Sequence, residues 1–260
     1  MPTQKKPSVV LSIAGYDPSS GAGITADIKT MAAHACYGVT CITALTVQST
    51  RGVKRVEPVH GSVITETLDH LADDLSIAAI KIGMLGSVDA AKAVAAFLER
   101  HSPRFVVLDP IIRSSSGADL ISKGGLKILQ KQILNRTYVV TPNIDEAAAL
   151  TGHSVTNLDD MQVAASRLHK MGARNVIITG GHLNPPYDLL SLEGKRAIIL
   201  KGRRIFTRST HGTGCAFSTS LACHLAMGKD LVAAAKAAKR FVTSALRKAP
   251  AIGKGAGPVI

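Results

Sequence analysis

Short apolar runs alternate with longer amphipathic stretches along most of this chain. Ser8–Gly15 (SVVLSIAG) is a continuous apolar run of strand length, closed by the turn formers Asp17-Pro18-Ser19-Ser20-Gly21-Ala22-Gly23. The apolar spacing then predicts a helix over Ile24–Ala35 and a strand over Val39–Ala44. Helical periodicity recurs at Val63–Ala72 and Asp89–Arg100, each leading into an apolar run, Ile77–Ile82 and Phe105–Leu108. A third cycle joins a helix near Leu126–Leu134 to a strand at Tyr138–Thr141, and a fourth joins Leu158–Met171 to Asn175–Thr179. Such strand–helix–strand cycles predict a three-layer α/β/α architecture, with helices on both faces of a mostly parallel central sheet. The rhythm then changes. Leu189–Leu192, Ala197–Leu200 and Ile205–Thr207 are closely spaced, broken by Glu193-Gly194 and Lys201-Gly202, and predict a small antiparallel edge. Two helices, Cys215–Ala226 and Leu231–Ala249, are joined at Gly228 and precede a Gly/Pro-rich tail. No linker, repeat or composition shift divides the chain, so residues 1–260 read as a single domain with short irregular tails.

Composition narrows the function classes. Hydrophobic residues make up 46% of the chain but aromatics only 3%, with no Trp, which suits aliphatic helix-on-sheet packing and excludes base-stacking RNA modules. A net charge of +13 suits nucleic acid, an anionic surface or phosphorylated small molecules. The basic residues are scattered and no recognition motif appears, so nucleic acid is not expected as a partner. No run approaches the roughly 18–20 apolar residues of a membrane span, and the first apolar run lacks a cleavage pattern, so the expected place is the cytoplasm. Cys36, Cys41, Cys215 and Cys223 form no C-x-x-C pair, which argues against a zinc cluster.

The residues with chemical potential sit just after the apolar runs, where ligands gather in such sheets. Ser209-Thr210-His211-Gly212-Thr213-Gly214-Cys215 leads directly into a helix. Small residues there expose backbone N–H groups to an anion, and the helix field favours negative charge, as phosphoryl transfer requires; an ordinary Gly-rich helix entry has the same composition. At the helix start the Cys215 thiol is expected to have a lowered pKa and to serve as proton acceptor, the alternative being a small buried hydrophobe. Asn143 and Glu146, three apart after the strand ending at Thr141, can hold a hydrated magnesium ion or simply cap their helix. Asp109 ends another strand. The first Gly-rich loop is neither a P-loop nor a dinucleotide fingerprint.

Together these loops resemble one family. IAGYDPSSGAGITADIKT, ALTVQST, KIGMLGS, LDPIIRSSSGADL, VVTPNIDEAAALTG, ITGGH and THGTGC stand in the order found in the hydroxymethylpyrimidine/phosphomethylpyrimidine kinases of thiamine biosynthesis, which are ribokinase-like. The resemblance runs from about Ser8 to the tail. It implies transfer of phosphate from ATP, first to 4-amino-5-hydroxymethyl-2-methylpyrimidine and then to its monophosphate. By the same resemblance Cys215 is the base, and Gly212, Thr213 and Gly214 help form the anion hole. Asp109, Thr141, Asn143, Thr179 and Thr210 would surround the nucleotide, with Asn143 and Glu146 organising Mg²⁺ through water. Gly15, Asp27, Gln48 and Met84 would receive the pyrimidine, Gln48 pairing with its amino group and adjacent ring nitrogen. A homodimer is also implied. The sequence departs from the family pattern at Ser115 and Thr179, where lysines are common, with Arg113 a candidate substitute. Pyridoxal/pyridoxine kinase, or a catalytically silent pyrimidine sensor, are the alternative functions.

Overall fold

Strand β1 (Val9–Tyr16) lies inside the sheet with nearly every side chain buried, as a continuous apolar run covered on both faces requires. The computed structural model describes residues 6–114 and 117–260. On one side of β1 runs parallel β2 (Tyr37–Ser49), followed at the edge by antiparallel β3 (Gly52–Pro58). On the other side come parallel β4 (Ile77–Ile82), β5 (Val106–Leu108), β6 (Val139–Val140) and β7 (Asn175–Gly180). Antiparallel β8 (Tyr187–Leu192) and β9 (Ile198–Lys201) complete the order β3-β2-β1-β4-β5-β6-β7-β8-β9.

Alternating strand residues feed two cores. Leu11, Ile13, Ile80, Ile82, Val106, Leu108, Val176 and Ile178 pack under α2 (Gly61–Asp74), α3 (Val88–His101), α4 (Lys123–Ile128), α5 (Ile144–Thr151) and α6 (Leu158–Lys170). Val10, Ala79, Val107, Val139 and Ile177 face α1 (Gly23–Ala33), α7 (Thr213–Ala226) and α8 (Leu231–Lys248). Right-handed crossovers account for this division: α1 carries the chain from β1 out to β2, whereas later crossovers run the opposite way and lie on the other face. The direction reverses about β1 and β4, and the crevice beyond their carboxyl ends is where such sheets bind ligands. Local signals agree with these elements. Ser87, Asn157 and Asp230 cap α3, α6 and α8 with side-chain oxygens, and basic residues fill the last turns of all three.

Some expectations are corrected. Ile205–Thr207 forms no strand; residues 202–210 are irregular and Phe206 is 91% exposed. A three-residue apolar run gains nothing from the ladder when its large side chain faces water. Conversely, β3 is a real edge strand whose Lys54, Arg55 and Glu57 hid it from a hydrophobicity reading, although charged residues are what an edge strand should carry. The helix expected near Leu126–Leu134 is α4 continued by a π turn over Leu129–Ile133 and a 3₁₀ turn over Leu134–Arg136.

Candidate active site

The segment after β9 crosses the carboxyl end of the sheet and enters α7 through Gly212, whose φ of 84° is left-handed. A Cβ at Gly212 would also collide with the Gly21 carbonyl oxygen in the loop after β1, so backbone conformation and close approach both demand glycine. No side chain caps α7, and Gly214 is exposed. Thr213 N donates to the Thr210 carbonyl at 3.4 Å, so the N–H groups of Gly212, Gly214 and Cys215 are the ones available to an anion. Opposite them stands Asp109, with both carboxylate oxygens about 4 Å from where a Gly214 side chain would begin.

Behind this cradle lies a polar seam between α1, α7 and the sheet. Lys81, the penultimate residue of β4, is wholly buried, and its ammonium lies 2.9 Å from Asp27 Oδ2. Ser12 donates to the same oxygen at 2.5 Å and Thr219 to Asp27 Oδ1 at 2.7 Å. Burial opposes the lysine's charge, but Asp27, Cys215 and Asp109 together hold the ammonium well above the usual range. Asp27 is thus fully enclosed with both oxygens taken. It sits beneath the pocket as a structural anion, not on its surface where it was expected to meet substrate. Cys215 contradicts its expected low pKa. Burial first, and then Asp109 and Asp27, push the thiol up to about 12, against the opposing pull of Lys81 and a hydrogen bond from the Gly23 N–H. A helix start alone does not make a thiolate when the sulfur is enclosed beside two acids.

The β1–β2 side of the crevice carries Gly15, Met84 and Gln48. A Cβ at Gly15 would lie 3.0 Å from Met84 Sδ, and Met84 is anchored by Thr43 donating to its carbonyl at 2.5 Å. The half-buried Gln48 amide contacts Thr46 and His211, and His211 Nε2 lies 2.8 Å from Asp17 Oδ2. Two loops expected on sequence grounds thus meet at one imidazole.

Asn143 and Glu146 form the capping box of α5: the Asn143 side chain accepts from Glu146 N at 2.8 Å, and Glu146 Oε2 accepts from Asn143 N at 2.9 Å. The plain capping role is therefore realised. Burial, reinforced by the Asp109 charge, pushes Glu146 up to about 8, while burial opposed by Lys81 and Ser218 leaves Asp109 at about 6. Two neighbouring raised carboxyls suit a hard cation that restores their ionisation. Among the described residues no three acidic, His or Cys side chains converge as metal ligands, so the fit is to a hydrated ion shared with phosphates.

Thr141 is buried and donates to the Leu108 carbonyl at 3.2 Å; Thr179 closes β7, its N–H donating to Pro142 O at 2.9 Å. Thr210 is exposed at the entrance of the cradle. Arg113 pairs with Asp119 at 2.8 Å across an exposed loop, and Ser115 lies outside the described residues. Sequence reasoning assigned no role to Lys81, Asp17, His211, Ser12, Ser218 or Thr219. Lys81 had a readable signal, a lone charge inside the apolar run Ile77–Ile82. For the hydroxyls there was none, because Ser and Thr are unremarkable in any helix.

Comparison with known proteins places this site in a family. A phosphomethylpyrimidine kinase family model matches residues 17–260. A hydroxymethylpyrimidine/phosphomethylpyrimidine kinase of Haemophilus influenzae is 42% identical over 254 residues, covering 96% of this chain and 94% of the relative. The thiamine biosynthesis bifunctional protein ThiED of Geobacter sulfurreducens is 41% identical over 252 residues and 96% of this chain, which spans about half (51%) of that longer relative. Among solved structures, phosphomethylpyrimidine kinase from Clostridium difficile 630 superposes with a TM-score of 0.82 at 32% identity, over 92% of this chain and 99% of that one. Pyridoxal kinase from Staphylococcus aureus, in complex with AMP-PCP and pyridoxal, gives 0.87 at 31% identity, over 97% and 93%. A ribokinase-like sheet carrying an uncapped GTGC helix start opposite a buried acid, matched by the family model along nearly its whole length, makes this chain a kinase of the phosphomethylpyrimidine kinase family.

Proposed function

We propose that the protein transfers the γ-phosphoryl of ATP to the hydroxymethyl oxygen of 4-amino-5-hydroxymethyl-2-methylpyrimidine, and then a second phosphoryl to the monophosphate, in thiamine biosynthesis. The observation that carries this reading is the meeting of a ring-recognition amide, Gln48, with the open helix start at Gly212–Cys215 through His211, whose chain neighbour is Gly212. Gln48 can donate to a ring nitrogen and accept from the adjacent amino group, while Met84 and Gly15 offer a thin apolar slot for a flat ring. The first-turn N–H groups of α7 stabilise charge on the moving phosphoryl. Mg²⁺, when bound, neutralises phosphate charge, and Asp109 with Glu146 and the oxygen-rich end of β6 would orient its water shell.

Burial keeps Cys215 a thiol in the free protein, so it must first release its own proton to solvent. The thiolate then accepts the hydroxymethyl proton as the oxygen bonds to phosphorus and the bond to ADP breaks. In a loose phosphoryl transfer the nucleophile loses its proton after much of the bond to the leaving group has broken. Anything that pulls Cys215 downward then matters, namely the Gly23 N–H and the Lys81 ammonium. The ATP analogue in the staphylococcal relative supports ATP as co-substrate. No helix among the described residues is long and apolar enough to cross a membrane. A cytoplasmic homodimer is part of this reading; it is supported by half-exposed Leu45 and Val47 on β2. Incubation with ATP, magnesium and the pyrimidine, followed by ³¹P NMR, should show the monophosphate and then the diphosphate. Turnover of pyridoxal with none of the pyrimidine would overturn the assignment, and ligand-induced thermal stabilisation without ADP formation would identify a sensor instead.

A further inference from the structure

The Gln48 amide is wedged between two hydrogen-bonding neighbours. As placed in the structure, its Oε1 lies 3.2 Å from Thr46 Oγ1 and its Nε2 3.0 Å from His211 Nε2. A half-turn exchanges an amide's oxygen and nitrogen, so their places follow from the partners' needs. Thr46 has one hydroxyl hydrogen and donates it to the Tyr16 carbonyl at 2.9 Å. Toward Gln48 that hydroxyl can only accept, so it must face the amide NH₂.

The other neighbour makes the same demand. His211 Nε2 lies 2.8 Å from Asp17 Oδ2. Asp17 is an acceptor on every side: Oδ1 takes the Ser19 N–H and hydroxyl at 2.8 and 2.6 Å, and Oδ2 takes the Ala22 N–H at 2.9 Å. Burial alone would raise its pKa, but the bonds from His211 and Ser19 prevail and hold it below the ordinary carboxylate value. Facing a carboxylate, Nε2 carries its one hydrogen, which can be shared between Asp17 Oδ2 and Gln48, and with no lone pair left it cannot accept from the amide NH₂. The amide oxygen therefore belongs on the His211 side. The imidazole has little freedom to do otherwise. Its backbone N–H donates to Gly257 O and its carbonyl accepts from Val259 N, both at 3.0 Å, and any side chain at position 21 would strike its ring.

We propose that His211, fixed by Asp17, sets the face of the Gln48 amide and thereby selects a ring edge with an amino group beside a ring nitrogen. After bonding Thr46 and His211 the amide retains one N–H and one oxygen lone pair, a donor–acceptor pair of defined sense. Half a turn would reverse that sense and reject the same ring. His211 is thus a positioning residue acting through Gln48. The inference rests on the pyrimidine reading of the site and deepens it.

The test is a double-mutant cycle joined to a tautomer measurement. His211→Phe keeps a flat ring without the donor. It should raise KM for the hydroxymethylpyrimidine about tenfold, the upper range for one hydrogen bond, with kcat and KM for ATP changed less than about twofold. In a Gln48→Ala background the same substitution should add nothing further. ¹⁵N NMR of the imidazole-labelled wild-type protein should show His211 protonated at Nε2. A kcat loss of equal size with and without Gln48 would overturn the proposal by placing His211 in the phosphoryl cradle, and an unprotonated Nε2 would overturn it without any variant. Wild-type protein that ignores the pyrimidine would instead defeat the substrate reading, and the tautomer would still decide the hydrogen-bond direction.

Discussion

Replacing Lys81 with methionine tests the polar seam most directly. The side chain is of similar length and the site is dry, so the substitution removes a charge while filling most of the same space. At 2.9 Å and an effective dielectric near 20, the ammonium attracts Asp27 by about 6 kcal/mol, much of it offset by the cost of burying both ions. Lys81→Met removes the attraction and leaves Asp27 enclosed with only the Ser12 and Thr219 hydroxyls, so the expected loss is about 3–5 kcal/mol. For a chain of this length that corresponds to a fall in Tm of roughly 6–20 °C. Urea unfolding gives the same quantity at constant temperature. Adding Asp27→Asn should recover at least half of the loss, because no unpaired charge then remains, although the single Asp27→Asn variant is itself destabilised by orphaning the lysine. The folded Lys81→Met enzyme should also be slow, since Lys81 is the charge that opposes the upward shifts of Cys215 and Asp109. A loss below about 1 kcal/mol, or a double variant as unstable as the two single losses added together, would refute the paired-charge account.

Cys215→Ala should lower kcat by about 10²–10⁴, the usual contribution of a positioned proton acceptor, while nucleotide affinity measured by calorimetry stays near wild type; near-normal turnover would take the thiol out of the mechanism. Asp17→Asn should cost about 1.5–3 kcal/mol at neutral pH, because four charge-assisted hydrogen bonds, from Ser19, Ala22 and His211, lose their carboxylate. The sign of its pH dependence follows from a folded pKa below 3.8: the stabilisation is complete above the unfolded value and disappears as pH falls through the lowered one. Wild type and variant should therefore differ in unfolding free energy at pH 6 and draw together as the pH falls below the unfolded value, and a difference that does not shrink on acidification would show that the effect is steric.

Much of the fold was legible because burial on both faces leaves a strong mark. β1, β4 and β7 read as mainly aliphatic runs with few polar interruptions, and the amphipathic stretches between them gave helices at the expected places. What failed were segments whose placement depends on partners distant in the chain. β3 carries three charges and exists because the extended end of β2 offers it a ladder from Ala44 to Ser49. The run at Ile205 had strand composition but pairs with no strand, not even the free edge of β9, and lies in the irregular segment that leads to Gly212.

The candidate site divides along the same line. Gly212 is readable from sequence because a single residue type satisfies its backbone geometry, and Cys215 because of its place at a helix start. The electrostatic state of Cys215 was not readable, since it is set by Asp27 on α1, Lys81 on β4 and Asp109 after β5, three elements that meet only in the folded chain. Three acids, Asp27, Asp109 and Glu146, occupy this region with Lys81 as the buried cation opposing them, and two of the acids are held partly or largely neutral as a result. In the proposed reaction a triphosphate approaching such a wall would meet backbone N–H groups and carboxyls. The protein's own charge at this point is poorly matched to a polyanion despite the +13 carried over the whole chain. In that reaction a divalent metal would supply the missing charge and favour ionisation of Asp109 and Glu146. On this view the raised carboxyl pKa values of the free protein are the electrostatic imprint of a cation that arrives with the nucleotide.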